Sequence, residues 1–487
     1  MESGIYLFAL FFLLLFIGIP IAISVGITAL LFLWIYNLGI QVVSTNFFAN
    51  IAKFPLLAIP FFILAGFLMD RVGLSRRLVN LLYLLIGPVP GGLGLVTICG
   101  CVLFGAISGT GPADTAAIGA VMIPAMVKRG YDKGFASALV ASAATTDVLI
   151  PPSVAFVVYG VITETSIGGL FAAGVVPGLI MGLALVLPVY LISKKHGWGG
   201  DRWGTKAEIW QAFKEAFWGL MAPVIILGGI YGGIFTPTEA AVVAVFYGVL
   251  VGVFIYRNLT LKMLYEVLRD SAVSTAVVMI VVAFAGLFAW TGSTMGVMDR
   301  AAKSLLTFTQ NPIFVLLLLN VLLLVAGMML DAISIYYVFL PILLPVMRHF
   351  GWDPMWFGVM MTVNLAIGTV TPPVALNLYV AANLAGISME RISRAALPFI
   401  LALIASLMLV TYIPSLSPGP RNSGLNLPGT KWTTSAPLPR NPPYKRWGAS
   451  PSNRTSASGS TSRSRRRREP RDRGNSSSHP ASEHIPG

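Results

Sequence analysis

The stretch from Gly105 to Tyr159 breaks an apolar run where a membrane-spanning segment should stay whole. Ser108, Gly109, Thr110, Gly111, Pro112 and Asp114 interrupt it first; Thr145, Thr146, Asp147, Pro151, Pro152 and Ser153 interrupt it again. Hydrocarbon offers no hydrogen-bond partner to a freed amide or carbonyl and no solvation to a carboxylate, so each such group is costly there. Breaks of this kind persist only where they are buried in protein or line a water-filled cavity, and they therefore mark a site.

The same pattern returns 221 residues later. Pro124, Met126, Gly130, Tyr131 and Asp132 match Pro345, Met347, Gly351, Trp352 and Asp353 at that one offset, as Pro151 and Pro152 match Pro372 and Pro373. After a slip of one residue, Val154, Ala155 and Tyr159 match Val374, Ala375 and Tyr379. A constant offset across separated motifs indicates two copies of one unit. Broken helices at corresponding positions of two halves point to a secondary transporter with its site near the bilayer midplane.

Of the 487 residues, 56% are hydrophobic and 11% charged, with a mean hydropathy of +0.80. A soluble domain carries about 25% charge, so the chain reads as an all-α polytopic membrane protein. The formal charge of +14 is concentrated in a tail: from Ser415 onward there are 13 Lys/Arg against 3 Asp/Glu. That segment, rich in Ser, Pro, Arg, Asn and Gly, cannot bury a core and is expected to be disordered. The Arg465 to Arg468 run reads as an incidental extension rather than a nucleic-acid site. Cys99 and Cys101 sit in an apolar run without a nearby His and read as buried structural thiols. The apolar N-terminus continues to about Tyr36, too long for a cleaved signal, and is kept as membrane structure.

The expected organisation is two inverted repeats, each with a re-entrant helical hairpin and a broken helix. Residues 1–193 form the first, with its hairpin at about 91–126; 194–213 form a cytoplasmic linker; 214–414 form the second, with its hairpin at about 312–347; 415–487 form the basic tail. The run from Ile5 to Tyr36, interrupted at Gly18 and Pro20, fits one long tilted helix or two short spans, and its counterpart is Phe217 to Tyr256. Phe48 to Met69 is the next span, followed by an amphipathic arm at Asp70 to Leu85 lying in the interface; its partner is Met298 to Phe308. Five crossings per half would invert the second copy. Most Lys and Arg agree with one orientation, Arg300, Lys303 and Arg348 being exceptions, and the membrane itself is the expected lipid partner.

Each polar constellation has a structural reading beside the functional one. The hairpin tip Ser108 to Asp114 offers carbonyls and hydroxyls suited to an alkali cation and a helix N-terminus suited to a carboxylate, or it is a glycine packing point. Asp147 is a cation ligand, a proton carrier or a helix cap; its counterpart, Gly368, carries no charge. Pro372 and Pro373 lack amide protons, which leaves carbonyls near Gly368 to Thr371 open to an ion or simply kinks the helix. Asp114, Ser153, Asn364 and Asn377 are candidate substrate contacts, each asparagine being equally at home in an interhelical hydrogen bond. Glu239, after Pro237, reads as a helix cap, and Asp331 as a cap or a functional acid.

Together, the Pro60 to Met69 segment, the Gly105 to Asp114 tip, Ile150 to Ser153 and Gly368 to Asn377 resemble the large membrane subunit of tripartite ATP-independent periplasmic (TRAP) transporters. The resemblance covers about Ile5 to Ile413. It implies an elevator-type ion-transporter-like fold and sodium-coupled uptake of an organic acid, a carboxylate or sugar acid, across the bacterial inner membrane. It also implies a small four-helix membrane subunit and a periplasmic substrate-binding protein as partners. Carried over by position, Ser108, Thr110, Gly111, Asp147, Ile150 and Pro152 would hold one Na+, and Gly327, Gly368, Thr371 and Val374 another. Asp147 departs from the glycine usual there, and Gly111 and Pro112 from the commoner tip. The alternative reading is a self-sufficient sodium or proton symporter for dicarboxylates. A channel would need a continuous polar path rather than clustered breaks, and an enzyme would need a nucleophile and base that are lacking.

Overall fold

The computed structural model describes residues 2–199 and 203–417, and among them there are helices and no strands. The first half comprises α1 (Glu2–Phe16), α2 (Ile21–Ile35), α3 (Gln41–Ile51), α4 (Ala58–Arg71), α5 (Leu74–Ile86), α6 (Gly92–Ser108), α7 (Gly111–Lys128), α8 (Lys133–Ala143), α9 (Val154–Thr163) and α10 (Ile167–His196). The second comprises α11 (Lys206–Tyr231), α12 (Pro237–Leu250), α13 (Leu261–Thr294), α14 (Val297–Phe308), α15 (Pro312–Gly327), α16 (Ala332–Phe350), α17 (Pro354–Gly368), α18 (Leu376–Ala385) and α19 (Met389–Tyr412). Seven helical segments among the described residues are long and apolar enough to cross a membrane.

Local chemistry sets the boundaries. The first apolar run is two helices, parted at Gly18 and Pro20. α11 and α12 open with matching capping boxes, Thr205 with Glu208 and Thr236 with Glu239, so Glu239 is a cap. Asp132 and Asp353, at equivalent repeat positions, cap α8 and α17 through backbone amides. The expected span Phe48 to Met69 is not continuous: α3 ends at Ile51 and a 3-10 turn over Phe54–Leu57 precedes α4. Pro55 supplies no amide there, whereas α13 runs unbroken for 34 residues. The segment 194–213 is mostly helical, because α10 extends to His196 and α11 starts at Lys206. Pro414–Leu416 form a short 3-10 turn, and the rest of the basic tail lies outside the described residues.

The two halves interlock. Tyr159 of α9 donates to the Pro354 carbonyl at 2.7 Å and meets Tyr336 of α16 edge-on at 5.6 Å. It also fills the space a side chain at Gly358 would need, with its ring 2.4 Å from that Cβ position. Arg391 of α19 pairs with Asp132 at 2.7 Å, and Phe135 packs on Phe399. Elsewhere α4, α12, α13 and α2 pack on one another, and α11 lies against α5. Broken helices from both halves thus share one core together with α10 and α19, and α2, α4, α12 and α13 form a second group.

Candidate functional site

Both hairpins turn where the sequence runs out of helix-compatible residues. α6 ends at Ser108, Gly109 adopts φ +67°, and α7 begins at Gly111 with Pro112 in its first turn. α15 ends at Gly327, and Asp331 caps α16 by accepting from the Ile333 and Ser334 amides and the Ser334 hydroxyl. Beside each tip lies a proline break. A 3-10 turn over Ala144–Val148 leads to Pro151 and Pro152, then to Ser153, the N-cap of α9; α17 ends at Gly368, and the chain passes Pro372 and Pro373 before α18. Both Pro–Pro bonds are cis.

Tip and break touch at their backbones. A Cβ on Gly105 would stand 2.8 Å from the Cα of Asp147, and one on Gly109 would stand 2.0 Å from the carbonyl oxygen of Pro152. In the second half a Cβ on Gly368 would lie 2.6 Å from the Cα of Gly327. Only residues lacking a Cβ on one side of the crossing allow this approach. In the first half Gly105 thereby meets Asp147 and Gly109 meets Pro152, with Ser108, Thr110 and Gly111 in the same turn, while the Ile150 side chain lies against Gly178 of α10. The second brings Gly327 against Gly368, and the Val374 amide donates to the Met328 carbonyl at 3.2 Å.

The two breaks differ in access. Ser108, Gly111, Asp147, Ile150, Pro152 and Ser153 are buried, whereas Val374 is 50% exposed and Thr371 half-buried. The carbonyls expected to be free in the second half are partly engaged: Gly368 accepts from the Thr371 amide at 3.0 Å and Thr369 from the Asn377 amide at 3.0 Å. Each keeps one lone pair. The Thr371 hydroxyl donates to Ile367 at 2.8 Å.

Three of the candidate substrate contacts already have structural duties. The Ser153 hydroxyl accepts from Phe156 and donates to the Val148 carbonyl, capping α9. Asn364 donates to the carbonyl and side-chain oxygen of Asn320, both at 2.9 Å, and Asn320 reaches Thr411 at 3.2 Å. This buried ladder joins α15, α17 and α19; Asn320, a lone amide in an apolar helix, was the polar signal that pattern reading passed over. Asn377 donates to Ala141 at 3.4 Å, and its amide lies 3.2 Å from the Cβ position of Gly111, so a second-half residue reaches the first hairpin tip.

Asp114 and Asp147 come together. Both are fully buried, their carboxyl groups face each other, and Ser108 donates to Asp114. Their closeness was hidden in a sequence separation of 33 residues.

The fold is that of a multi-span membrane transporter. The crystal structure of the Alcanivorax borkumensis YdaH transporter matches with a TM-score of 0.60 over 78% of this chain and 90% of that one, at 15% identity, a likeness of fold alone. Residues 8–416 match the family described as tripartite ATP-independent periplasmic transporter, DctM component, and the chain belongs to that family. It is a permease component of a bacterial periplasmic transport system and not an enzyme. Among its relatives are the isethionate TRAP transporter permease protein DctMQ of Oleidesulfovibrio alaskensis, 47% identical over 84% of this chain, and the C4-dicarboxylate TRAP transporter large permease protein DctM of Rhodobacter capsulatus, 38% identical over 85%. The sialic acid TRAP transporter large permease protein SiaM of Vibrio cholerae is 38% identical over 83%. The match covers 65% of the first relative's length, 98% of the second's and 95% of the third's.

Proposed function

We propose that the chain is the large permease subunit of a sodium-driven TRAP system of the inner membrane. In this reading it imports an organic acid, a carboxylate or sugar acid, delivered by a periplasmic binding protein, and is braced by a small four-helix membrane subunit. The observation that carries the reading is the repeated crossing of hairpin tip and proline break, Gly105 on Asp147 and Gly327 on Gly368. Each crossing gathers carbonyls and hydroxyls of the kind that replace the hydration shell of an alkali cation.

One Na+ binds at Ser108, Thr110, Gly111, Asp147, Ile150 and Pro152, and another at Gly327, Gly368, Thr371 and Val374. The anionic substrate binds between the tips, near Asn377 and the N-terminus of α7, where helix dipoles favour negative charge. The broken-helix core then moves as a body against the unbroken helices in an elevator step. The tight packing of Tyr159 on Gly358 supports such a body, because it ties first-half and second-half elements together. The printed names of the relatives fit an organic anion as cargo: isethionate, C4-dicarboxylates and sialic acid.

The test is uptake into proteoliposomes holding this chain and its small subunit. Uptake that needs added binding protein supports the tripartite reading; equal uptake without it supports a self-sufficient symporter and overturns this one.

A further inference from the structure

Each half turns from a long helix into an amphipathic arm through the same joint. α4 passes into α5 at Gly73, with φ +83°, and α13 passes into α14 at Gly296, with φ +67°. The residue after each glycine, Leu74 or Val297, is apolar and buried, and the fourth residue on is an arginine, Arg77 or Arg300. None of these residues belongs to the cation or substrate sites proposed above.

Both arginines fold back on the joint. Arg77 Nη1 donates to the Val72 carbonyl at 2.8 Å and to the Gly73 carbonyl at 2.9 Å. Arg300 donates from Nε to the Gly296 carbonyl at 3.0 Å and from Nη2 to the Met295 carbonyl. The same two carbonyls are thus held in each half, that of the glycine and that of the residue before it. The earlier one lies between two helices, outside either ladder, and a cation there also meets the negative end of the preceding helix. The first joint carries extra fastenings. Asn258 donates to Val72 at 2.9 Å, the Arg77 guanidinium lies 3.7 Å from the centre of the Tyr256 ring, and Arg71 pairs with Asp270 at 3.1 Å.

The apolar residue of each joint plugs into the opposite half. Leu74 Cδ1 stands 1.6 Å from the Cβ position of Gly219 in α11, and Val297 Cγ1 stands 3.0 Å from that of Gly4 in α1. α11 opens the second half as α1 opens the first. Beyond its joint, α5 packs on hairpin helix α6, and α14 on hairpin helix α16. Each arm therefore runs between the first helix of the other half and the hairpin of its own.

We infer that Arg77 and Arg300 are positioning residues for transport: by clamping the joint they hold each arm at a fixed angle to its long helix, so that the arm keeps its place as the hairpin moves past it. The inference rests on the moving-core reading above. It also gives Arg300 a duty that accounts for an arginine standing against the orientation on which most Lys and Arg agree.

The test is the maximal rate of uptake per folded complex, counted by size-exclusion recovery, in proteoliposomes holding this chain and its small subunit. The probe is whichever of labelled isethionate, C4-dicarboxylate or sialic acid the natural chain takes up with its binding protein, and the sodium concentration for half-maximal rate is measured alongside. Arg77→Gln is expected to lower the maximal rate about tenfold and to leave the half-maximal sodium concentration within about twofold, since no ion or substrate contact changes. Arg300→Gln is expected to lower the rate about threefold, because water competes for the carbonyls at that exposed position. Arg77→Lys keeps the charge without the planar fork and is expected to fall between Arg77→Gln and the natural chain. A natural rate in Arg77→Lys assigns the residue to charge alone, a natural rate in both glutamine variants leaves the joints without a role, and a loss seen in the sodium curve instead of the rate places them in the ion site; each overturns the inference. A control cross-links Phe62→Cys of α4 to Phe171→Cys of α10, whose rings lie 6.5 Å apart in the natural chain. Uptake stopped by that cross-link supports the moving core. Uptake continuing at full rate overturns the moving-core reading, and the inference with it, whatever the arginine variants do.

Discussion

Asp147 crosses over Gly105 so closely that a Cβ on the glycine would stand 2.8 Å from the aspartate Cα, and the second half repeats the crossing at Gly327 and Gly368. Gly368→Ala and Gly327→Ala must push the hairpin off the end of α17. Each is expected to destabilise the protein by about 1–3 kcal/mol, the usual cost of overpacking a tight contact, and to weaken sodium dependence at the second site. Thermal unfolding in detergent with and without sodium checks this; an unchanged melting temperature for both would show that the crossing is not tight.

Asn364 and Asn320 give a prediction that separates structure from substrate contact. Replacing Asn320 with alanine removes the side-chain oxygen that the Asn364 amide reaches and leaves only the Asn320 backbone carbonyl to accept from it, and replacing Asn364 leaves the buried Asn320 side-chain oxygen without its donor. Each change is expected to cost about 1–3 kcal/mol, and the double variant is expected to cost less than the sum. A double-mutant cycle on thermal stability measures the coupling. Strict additivity, with substrate affinity lost only in Asn364→Ala, would place Asn364 in the substrate site instead.

Thr371 sits at the half-buried second break, with its hydroxyl donating to Ile367. Thr371→Ala is expected to raise the sodium concentration needed for half-maximal uptake on the order of tenfold, equivalent to about 1.4 kcal/mol. An unchanged sodium curve would remove Thr371 from the ion site.

The Asp132–Arg391 pair ties α8 to α19 at the surface. Partial burial works against ionised Asp132, but the Phe135 amide and the Arg391 guanidinium outweigh it and hold the carboxyl below its ordinary value. Folding therefore favours the charged form. The contribution is complete above the unfolded-state value of about 3.9 and is lost as pH falls through the lower folded value. Arg391→Ala is expected to cost about 0.2–1 kcal/mol at neutral pH, as exposed pairs do, and nothing once Asp132 is protonated. Melting curves of both proteins across that range should converge in acid; a constant gap would assign the effect to packing.

Much of this architecture was legible because its signals are local. Proline and glycine mark the breaks, Glu239 after Pro237 reads as a cap and is one, and the offset of 221 residues ties the breaks into a repeat. What stayed hidden depends on contacts distant in sequence. Nothing near Asn364 announces Asn320, and nothing near Asp147 announces that Asp114 faces it. Pro55 stands in the sequence, but the stretch from Phe48 to Met69 reads as one span, whereas the structure parts α3 from α4 by a 3-10 turn that α13 lacks. The repeat is imperfect, and its imperfections, Pro55 and Asp147 among them, are where pattern reading and structure part.

In the proposed mechanism a sodium gradient drives uptake through this subunit. The most direct measurement is the initial rate of uptake of labelled isethionate, C4-dicarboxylate or sialic acid, each with its binding protein, into proteoliposomes containing the permease complex. Sodium coupling predicts accumulation of at least one of these under an inward sodium gradient and none when sodium is equal on both sides without a membrane potential. Accumulation driven equally well by a proton gradient in the absence of sodium would contradict it.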